Sequence, residues 1–298
     1  MPLFALISGY LFAGSITRHS PIDIVRGKFN KLIIPCIFWA FALKLLDAAL
    51  SALTGMPLGA VRIAKNIVWG IIGNFWFYKA IFFASLCCLL IEKYIRRKSL
   101  LYLILCICTI FAPDFASMGS IAFIFPYFVI GLELKNYKGT LQFRKSIIYS
   151  AIVLYALLIY FYKIDYYIYK SGMNILCVEN QMVQIWNITY RFLTGISGSI
   201  AAIGILGRIS EKLNTLSKRA VMLLSSKTGD IYVLSSVMFI YSSRLIQYLG
   251  WHSQAGVVYG ITVDLILIPV SIALSVLLSL FSVYLNRYVS VKKWILGI

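Results

Sequence analysis

The chain has 298 residues, of which 61% are apolar and only 13% are charged. A soluble domain carries about 25% charged residues, so this chain lacks the polar groups that would cover a water-facing surface. Composition therefore excludes soluble, disordered and fibrous proteins. It predicts an all-α, polytopic helical integral membrane protein, because the apolar runs are continuous and not alternating.

Nine apolar segments follow one another along the chain, and each is expected to cross the membrane as a helix. They cover residues 2–14, 32–53, 67–91, 100–112, 118–134, 147–162, 192–207, 221–241 and 257–285. The segments 100–112, 147–162 and 192–207 are shorter than the roughly 20 residues of a comfortable span. Their assignment as spans depends on the charges between them.

The net charge of +18 comes from 28 Lys and Arg against 10 Asp and Glu. The odd-numbered connections and the C-terminal tail hold 19 of these cations, whereas the even-numbered connections hold 6. Since cytoplasmic loops of membrane proteins are enriched in Lys and Arg, the odd connections are expected to face the cytoplasm. Topology thus explains the charge, and a nucleic-acid partner is not indicated. The alternation would break if any segment failed to cross, which supports nine spans.

This topology places Met1 on the outer side of the membrane. The opening run MPLFALISGYLF has no basic residue before it and no convincing cleavage site, unlike a secretory signal. We therefore expect that an N-terminal span is missing, through a misplaced start codon, a truncated gene or an unusual N-outside arrangement.

Ionisable residues inside predicted spans are candidates for function because they are costly at membrane depth. Lys44 and Asp47 are three residues apart on one predicted helix, and we expect a structural pair. Lys79 lies in the middle of NFWFYKAIF without an acidic neighbour in sequence, and Asp264 lies in the last segment, where it could meet Lys79. These two residues are weak candidates for a catalytic role.

No metal site is expected, because the Cys and His residues are not spaced as ligands. His19 and His252 are expected to be solvated loop residues. No Ser-His-Asp order, HExxH, Walker loop or GxGxxG motif is present in the sequence.

The longest polar stretch, residues 163–191, combines tyrosines and a tryptophan with scattered acidic and amide side chains. Rings of this kind either stack on sugar rings or form the aromatic belt at a membrane interface. The sequence leaves both interpretations open.

Five motifs, in order, resemble the acyltransferase-3 family of integral membrane O-acyltransferases, which modify bacterial polysaccharides and related glycans. The motifs are MPLFALISGYLF, RGKFNKLIIPCIFW, NFWFYKAIF, FPYFVIGLEL and SSKTGDIYVL, and together they span roughly residues 1–240. The matching residues are Pro2, Phe4, Ser8, Gly9, Tyr10, Lys28, Lys31, Pro35, Trp76, Pro126, Gly131, Gly229, Ile231 and Tyr232.

The resemblance implies about ten spans, with an arginine and a catalytic histidine on a helix that precedes the MPLF-like run. Neither that helix nor its histidine is in this sequence, and Ser235 or Ser236 stands where the late motif carries a histidine. The expectation is a single acyltransferase-3-like transmembrane domain over residues 1–298 that is N-terminally incomplete, with its catalytic residues unassigned.

The activity implied by the resemblance is transfer of an acyl group, expected to be acetyl, from acyl-CoA to a sugar hydroxyl. The acceptor would be a cell-surface polysaccharide, such as the O-antigen of lipopolysaccharide, or its lipid-linked precursor, and the location the bacterial inner membrane. Acyl-CoA would be a co-substrate, without a bound cofactor. Arg26, Lys28 and Lys31 would bind its phosphates, or serve only as positive-inside anchors.

Ser8, Gly9 and Trp76 would line the acyl path, or only allow close helix packing and fill the core. Three alternatives remain for the whole chain. A glycan flippase or transporter would be expected to show internal repeats, which the sequence lacks. A polysaccharide polymerase would be expected to use a large outer loop rich in arginine, whereas 163–191 holds only Arg191. The third alternative is a catalytically inactive, truncated acyltransferase.

Overall fold

The computed structural model describes residues 1–53, 59–113, 118–138, 141 and 143–215, together with isolated positions between 218 and 277. Secondary structure in these ranges is entirely helical, which confirms the predicted all-α class. The α-helices of the described part are α1 (Pro2–Ile16), α2 (Pro21–Lys28), α3 (Ile34–Leu53), α4 (Ala60–Gly73), α5 (Trp76–Tyr94), α6 (Lys98–Cys108), α7 (Met118–Lys138), α8 (Lys145–Tyr160), α9 (Ile168–Ser171) and α10 (Gln181–Lys212). A π-helical turn, Phe29–Ile33, joins α2 to α3.

Seven of the nine predicted segments are helical, and of the segments 221–241 and 257–285 only isolated positions are described. The segment 67–91 is wrong as a single helix, because the chain breaks between α4 and α5. Phe75 adopts a left-handed backbone with φ of 52°, which cannot continue an α-helix. Helix α4 also begins earlier than the predicted segment, at Ala60, so Arg62 and Lys65 lie within it.

Several described helices have the length and composition of membrane spans. The stretches Pro21–Ala49, Met118–Tyr137 and Gln181–Lys212 qualify alone, and α4 with α5 qualifies as one broken span. The helical stretches Pro2–Ile16, Lys98–Phe111 and Lys145–Tyr160 are apolar but shorter. The protein is therefore a polytopic helical membrane protein, and the count of nine spans stays a prediction.

The chain divides into two compact units, residues 1–33 with 72–212, and residues 34–71 with 213–298. In the second unit the Lys44 ammonium lies 3.2 Å from the Asp47 carboxylate, as predicted. The aliphatic stem of Lys44 also covers Gly70, where an added Cβ would lie 3.1 Å from it.

In the first unit, α1 and α7 cross at two glycines. A Cβ on Gly9 would lie 1.9 Å from the carbonyl oxygen of Phe128, and a Cβ on Gly131 would lie 1.9 Å from that of Leu6. Small residues let membrane helices approach to backbone contact, so both glycines are required by the crossing. The largest fully buried side chains of the unit are concentrated around this crossing: Leu6, Phe12, Ile124, Tyr127, Phe128 and Leu132.

The ends of α5 and α6 are joined by an ion pair. The Lys98 ammonium lies 2.5 Å from the Glu92 carboxylate, whose side chain is only 10% exposed. The Tyr102 hydroxyl donates to the same carboxylate at 3.1 Å.

Helices α8 and α10 run antiparallel. The Tyr190 hydroxyl donates to the carbonyl of Leu158, and at the other end the Arg208 guanidinium lies 5.0 Å from the centre of the Tyr149 ring. This places the C-terminal end of α10 beside the N-terminal end of α8. Arg208 and Lys145, both predicted at the cytoplasmic side, therefore lie at the same end of the helix pair.

Candidate functional site

A cavity of about 550 Å³ opens among α1, α7, α8, α10 and the connection that follows α8. Aromatic side chains from α7, α8, α10 and this connection form much of its wall, namely Phe123, Tyr155, Tyr162, Tyr166, Tyr167 and Tyr190. Its size falls within the range of roughly 300–1,000 Å³ that is usual for small-molecule sites.

The face of α10 that borders the cavity carries small side chains. Thr194, Gly195, Gly198, Ser199 and Ala202 recur at spacings of one, three or four residues and all line it. Positions three and four apart share a helix face. The two glycines also let aromatic side chains pack against this face, because a Cβ on Gly195 would collide with the Tyr127 hydroxyl and a Cβ on Gly198 would lie 2.8 Å from the Tyr155 ring.

Part of the aromatic wall is fixed by ring stacking. The rings of Tyr166 and Tyr190 are stacked with centroids 3.9 Å apart, and the Trp186 indole donates to the Tyr166 hydroxyl at 3.2 Å. Tyrosine offers both a flat apolar face and a polar tip, a combination suited to a ligand with apolar faces and hydroxyl edges.

Arg191 holds the connection against α10. Its side chain is buried, with Nε donating to the Tyr166 carbonyl and Nη1 to the Gly172 carbonyl, each at 2.5 Å, and Nη2 donating to the Ser171 hydroxyl. Gln184 donates to the Ser171 carbonyl at 2.8 Å from the same helix. A charged guanidinium that binds main-chain oxygens in a fixed fork orders that backbone strongly.

The sequence prediction placed Arg191 in an outer loop, and this is wrong because α10 begins at Gln181. A sequence signal for the earlier start exists. The side chain of Asn180 accepts a hydrogen bond from the Val183 amide at 3.2 Å, as an N-cap residue does.

Tyr162 lies in the connection that follows α8. Its side chain lines the same cavity and is 43% exposed. A tyrosine hydroxyl can donate one hydrogen bond, so Tyr162 offers a donor to a molecule in the cavity.

A second, apolar cavity of about 270 Å³ adjoins the first. Phe123 lines both cavities, and α6, α7 and α10 supply further walls through Cys106, Pro126 and Phe192. This cavity is not predictable from the sequence, since its walls come from helices distant in sequence.

The residues predicted for the acyl path lie elsewhere in the described structure. Gly9 is buried against α7, beside the partly exposed Ser8, and Trp76 begins α5 with its ring 6.0 Å from that of Phe77. None of the three is among the described residues that line the 550 Å³ cavity. Their role in an acyl path stays a prediction.

The three cations predicted to bind phosphates differ in their surroundings. Arg26 is exposed in a groove between α2 and α5, Lys28 lies with its ammonium 5.4 Å from the centre of the Phe12 ring, and Lys31 is exposed on the π-helical turn. Their role in binding acyl-CoA phosphates stays a prediction.

Lys79 marks the break between α4 and α5, where its ammonium donates to the carbonyl of Ile72. Because α4 ends there, the lysine supplies a donor to a helix-terminal carbonyl. Its catalytic role stays a prediction. Asp264 and His252 lie outside the described residues, whereas His19 is exposed as expected. Within the described ranges no three His, Cys, Asp or Glu side chains are grouped to hold a metal ion.

Comparison with known proteins gives one extended match and two shorter ones. The family model of the acyltransferase-3 domain, described as an acyltransferase domain, matches residues 1–280. Nodulation protein NolL of Sinorhizobium fredii is 34% identical over 82 residues, which cover 27% of this chain and 21% of NolL. Nodulation protein NolL of Mesorhizobium japonicum is 27% identical over 133 residues, which cover 44% of this chain and 35% of that relative. The chain thus spans about a third or less of these relatives, and no solved structure matches it.

Proposed function

Since this chain belongs to the acyltransferase-3 family, we propose that it transfers an acyl group, acetyl in the first instance, from acyl-CoA to a sugar hydroxyl. The acceptor is a cell-surface polysaccharide or its lipid-linked precursor, and the location is the bacterial inner membrane. The observation that carries the proposal is the aromatic cavity of about 550 Å³ in a chain of this family. Family membership favours acyl transfer over a polymerase or a transporter.

In this proposal the cavity receives the acceptor sugar. The exposed tyrosine rings of the cavity, those of Tyr155, Tyr162 and Tyr167, present flat apolar surface to the C–H face of a sugar ring, and their hydroxyls meet its polar edge. Arg191 acts as a positioning residue, because it fixes the connection that carries Tyr166.

The chemistry requires one bond to form and one to break. The sugar oxygen attacks the thioester carbonyl, the new C–O bond forms, the C–S bond breaks, and the sugar proton leaves with the CoA thiol through a general base. Donors must stabilise the negative charge that develops on the carbonyl oxygen. The Tyr162 hydroxyl is a donor of this kind, and Lys79 and Asp264 remain the candidates for a further electrostatic role.

The donor enters from the cytoplasmic side in this proposal. The exposed Lys31 offers positive charge to the CoA phosphates. The apolar cavity of about 270 Å³ suits the acyl chain, since Phe123 is a shared wall that would bring the acyl carbon next to the sugar site.

Deletion of the gene in its bacterial host tests the proposal. Ester-linked acyl groups on the purified surface glycan are measured by NMR before and after mild alkali. We expect the alkali-labile acyl signal to disappear in the deletion strain and to return on complementation. An unchanged ester content in the deletion strain would contradict the proposed function.

A further inference from the structure

A groove of about 400 Å³ runs between α2 and α5 in the first unit, away from the aromatic cavity. One face of each helix supplies its apolar wall, with side chains at helical spacing: Ile22, Val25, Phe29, Leu86, Leu89 and Leu90. The rings of Phe29 and Phe82, 6.1 Å apart, pack the two helices together at one end.

The wall is apolar and yet open. Ile22 is 78% exposed and Leu90 is 51% exposed. In a membrane protein such side chains are covered by hydrocarbon and not by water, so the groove has the character of a lipid-facing surface.

Two cations line the same groove. Arg26 on α2 and Lys93 on α5 are both exposed, and the Lys93 ammonium lies 5.4 Å from the centre of the adjacent Tyr94 ring. The described residues that line the groove include no Asp or Glu. Its polar groups therefore complement a negative charge attached to an apolar chain.

We propose that this groove binds one anionic phospholipid. Its acyl chain lies along the apolar wall, and its phosphate is bound by Arg26 and Lys93. Basic pockets between membrane helices bind anionic headgroups in this way, and the charge pattern predicts that Lys93 belongs to a cytoplasmic connection, where the leaflet is negatively charged. This site is independent of the proposed acyl transfer.

Native mass spectrometry of the full chain in a neutral detergent tests the site, with phosphatidylglycerol and phosphatidylcholine of equal chain length as probes. We expect one phosphatidylglycerol to be retained and phosphatidylcholine to be lost. The double variant Arg26→Gln/Lys93→Gln should bind phosphatidylglycerol about thirtyfold more weakly, because each cation contributes about 1 kcal/mol towards an anionic lipid.

The matched control is Arg62→Gln/Lys65→Gln, which removes the same charge from exposed positions on α4 and should bind like the wild type. Val25→Trp keeps both cations but fills the groove, so it should also lose the lipid. This variant decides the question if the double variant does not fold.

Three results would overturn the proposal. The first is equal retention of the two lipids by the wild type. The second is a groove variant that binds as the control does. The third is displacement of the lipid by micromolar octanoyl-CoA, which would assign the groove to the acyl donor. Whether gene deletion removes the glycan esters bears on the proposed function alone.

Discussion

Substitution of Gly9 by Ala should open the crossing of α1 and α7. The added Cβ would lie 1.9 Å from the Phe128 carbonyl oxygen and 3.1 Å from the Leu132 amide nitrogen. Ordinary contact begins at 3.4 Å, and both neighbours are backbone atoms, so the helices must separate by about 1.5 Å. Overpacking of this kind costs about 3 kcal/mol, and the higher helix propensity of Ala returns about 1 kcal/mol.

The net expectation is a loss of about 2 kcal/mol in the free energy of unfolding, or about thirtyfold in the folding equilibrium. Gly14→Ala is the matched control, because it lies in the same helix and its Cβ would meet nothing within 4 Å. The control should gain about 1 kcal/mol from propensity alone.

Equilibrium unfolding by SDS in mixed micelles measures both variants. The difference of about 3 kcal/mol between them isolates the packing contribution, since propensity cancels. Gly131→Ala should resemble Gly9→Ala, and the double variant should lose less than the sum, because one separation of the helices relieves both contacts. Equal stabilities of Gly9→Ala and Gly14→Ala would refute the close crossing.

Three further substitutions test the polar contacts of the first unit. Arg191→Lys removes the planar guanidinium that binds the carbonyls of Tyr166 and Gly172. The amide hydrogens of residues 163–173 should then exchange at least about tenfold faster in hydrogen-exchange mass spectrometry. Unchanged protection of these residues would contradict the positioning role of Arg191. Lys98→Met leaves the Glu92 carboxylate, 10% exposed, without its partner at 2.5 Å, and should cost about 3 kcal/mol in SDS unfolding. Lys170→Met breaks a pair of 2.7 Å with Asp165, but both side chains are more than half exposed, so it should cost under about 1 kcal/mol. Similar losses for these two variants would show that burial does not decide the strength of the pairs.

The sequence predicted the helical class and seven helix positions because apolar runs and loop charges act locally and additively. It missed the break at Phe75, since a phenylalanine carries no local preference for a left-handed backbone. The preceding Gly73 and Asn74 are the turn-forming residues that hint at it.

The candidate site was predictable only in part. The aromatic richness of 163–191 pointed to Tyr166 and Tyr167, which line the cavity. Tyr155 and the small side chains of α10 could not be assigned to the cavity, because they come together only through the packing of α8 against α10. The polar composition of the residues before Arg191 favours a loop there. The N-cap contact of Asn180, which starts the helix earlier, depends on a single side chain.

Acyl transfer by variants with a blocked cavity tests whether the aromatic cavity binds the acceptor sugar. Membranes that carry Ala202→Trp, whose indole ring would enter the cavity, are compared with those that carry Leu206→Trp, a mostly exposed position of the same helix. Radiolabelled acetyl-CoA and the host glycan are supplied, and ester-linked label on the glycan is counted at equal protein. We expect Ala202→Trp to lose at least about tenfold in rate, a change of 1.4 kcal/mol or more, and Leu206→Trp to keep the wild-type rate. Wild-type transfer by Ala202→Trp would contradict the assignment of the aromatic cavity to the acceptor.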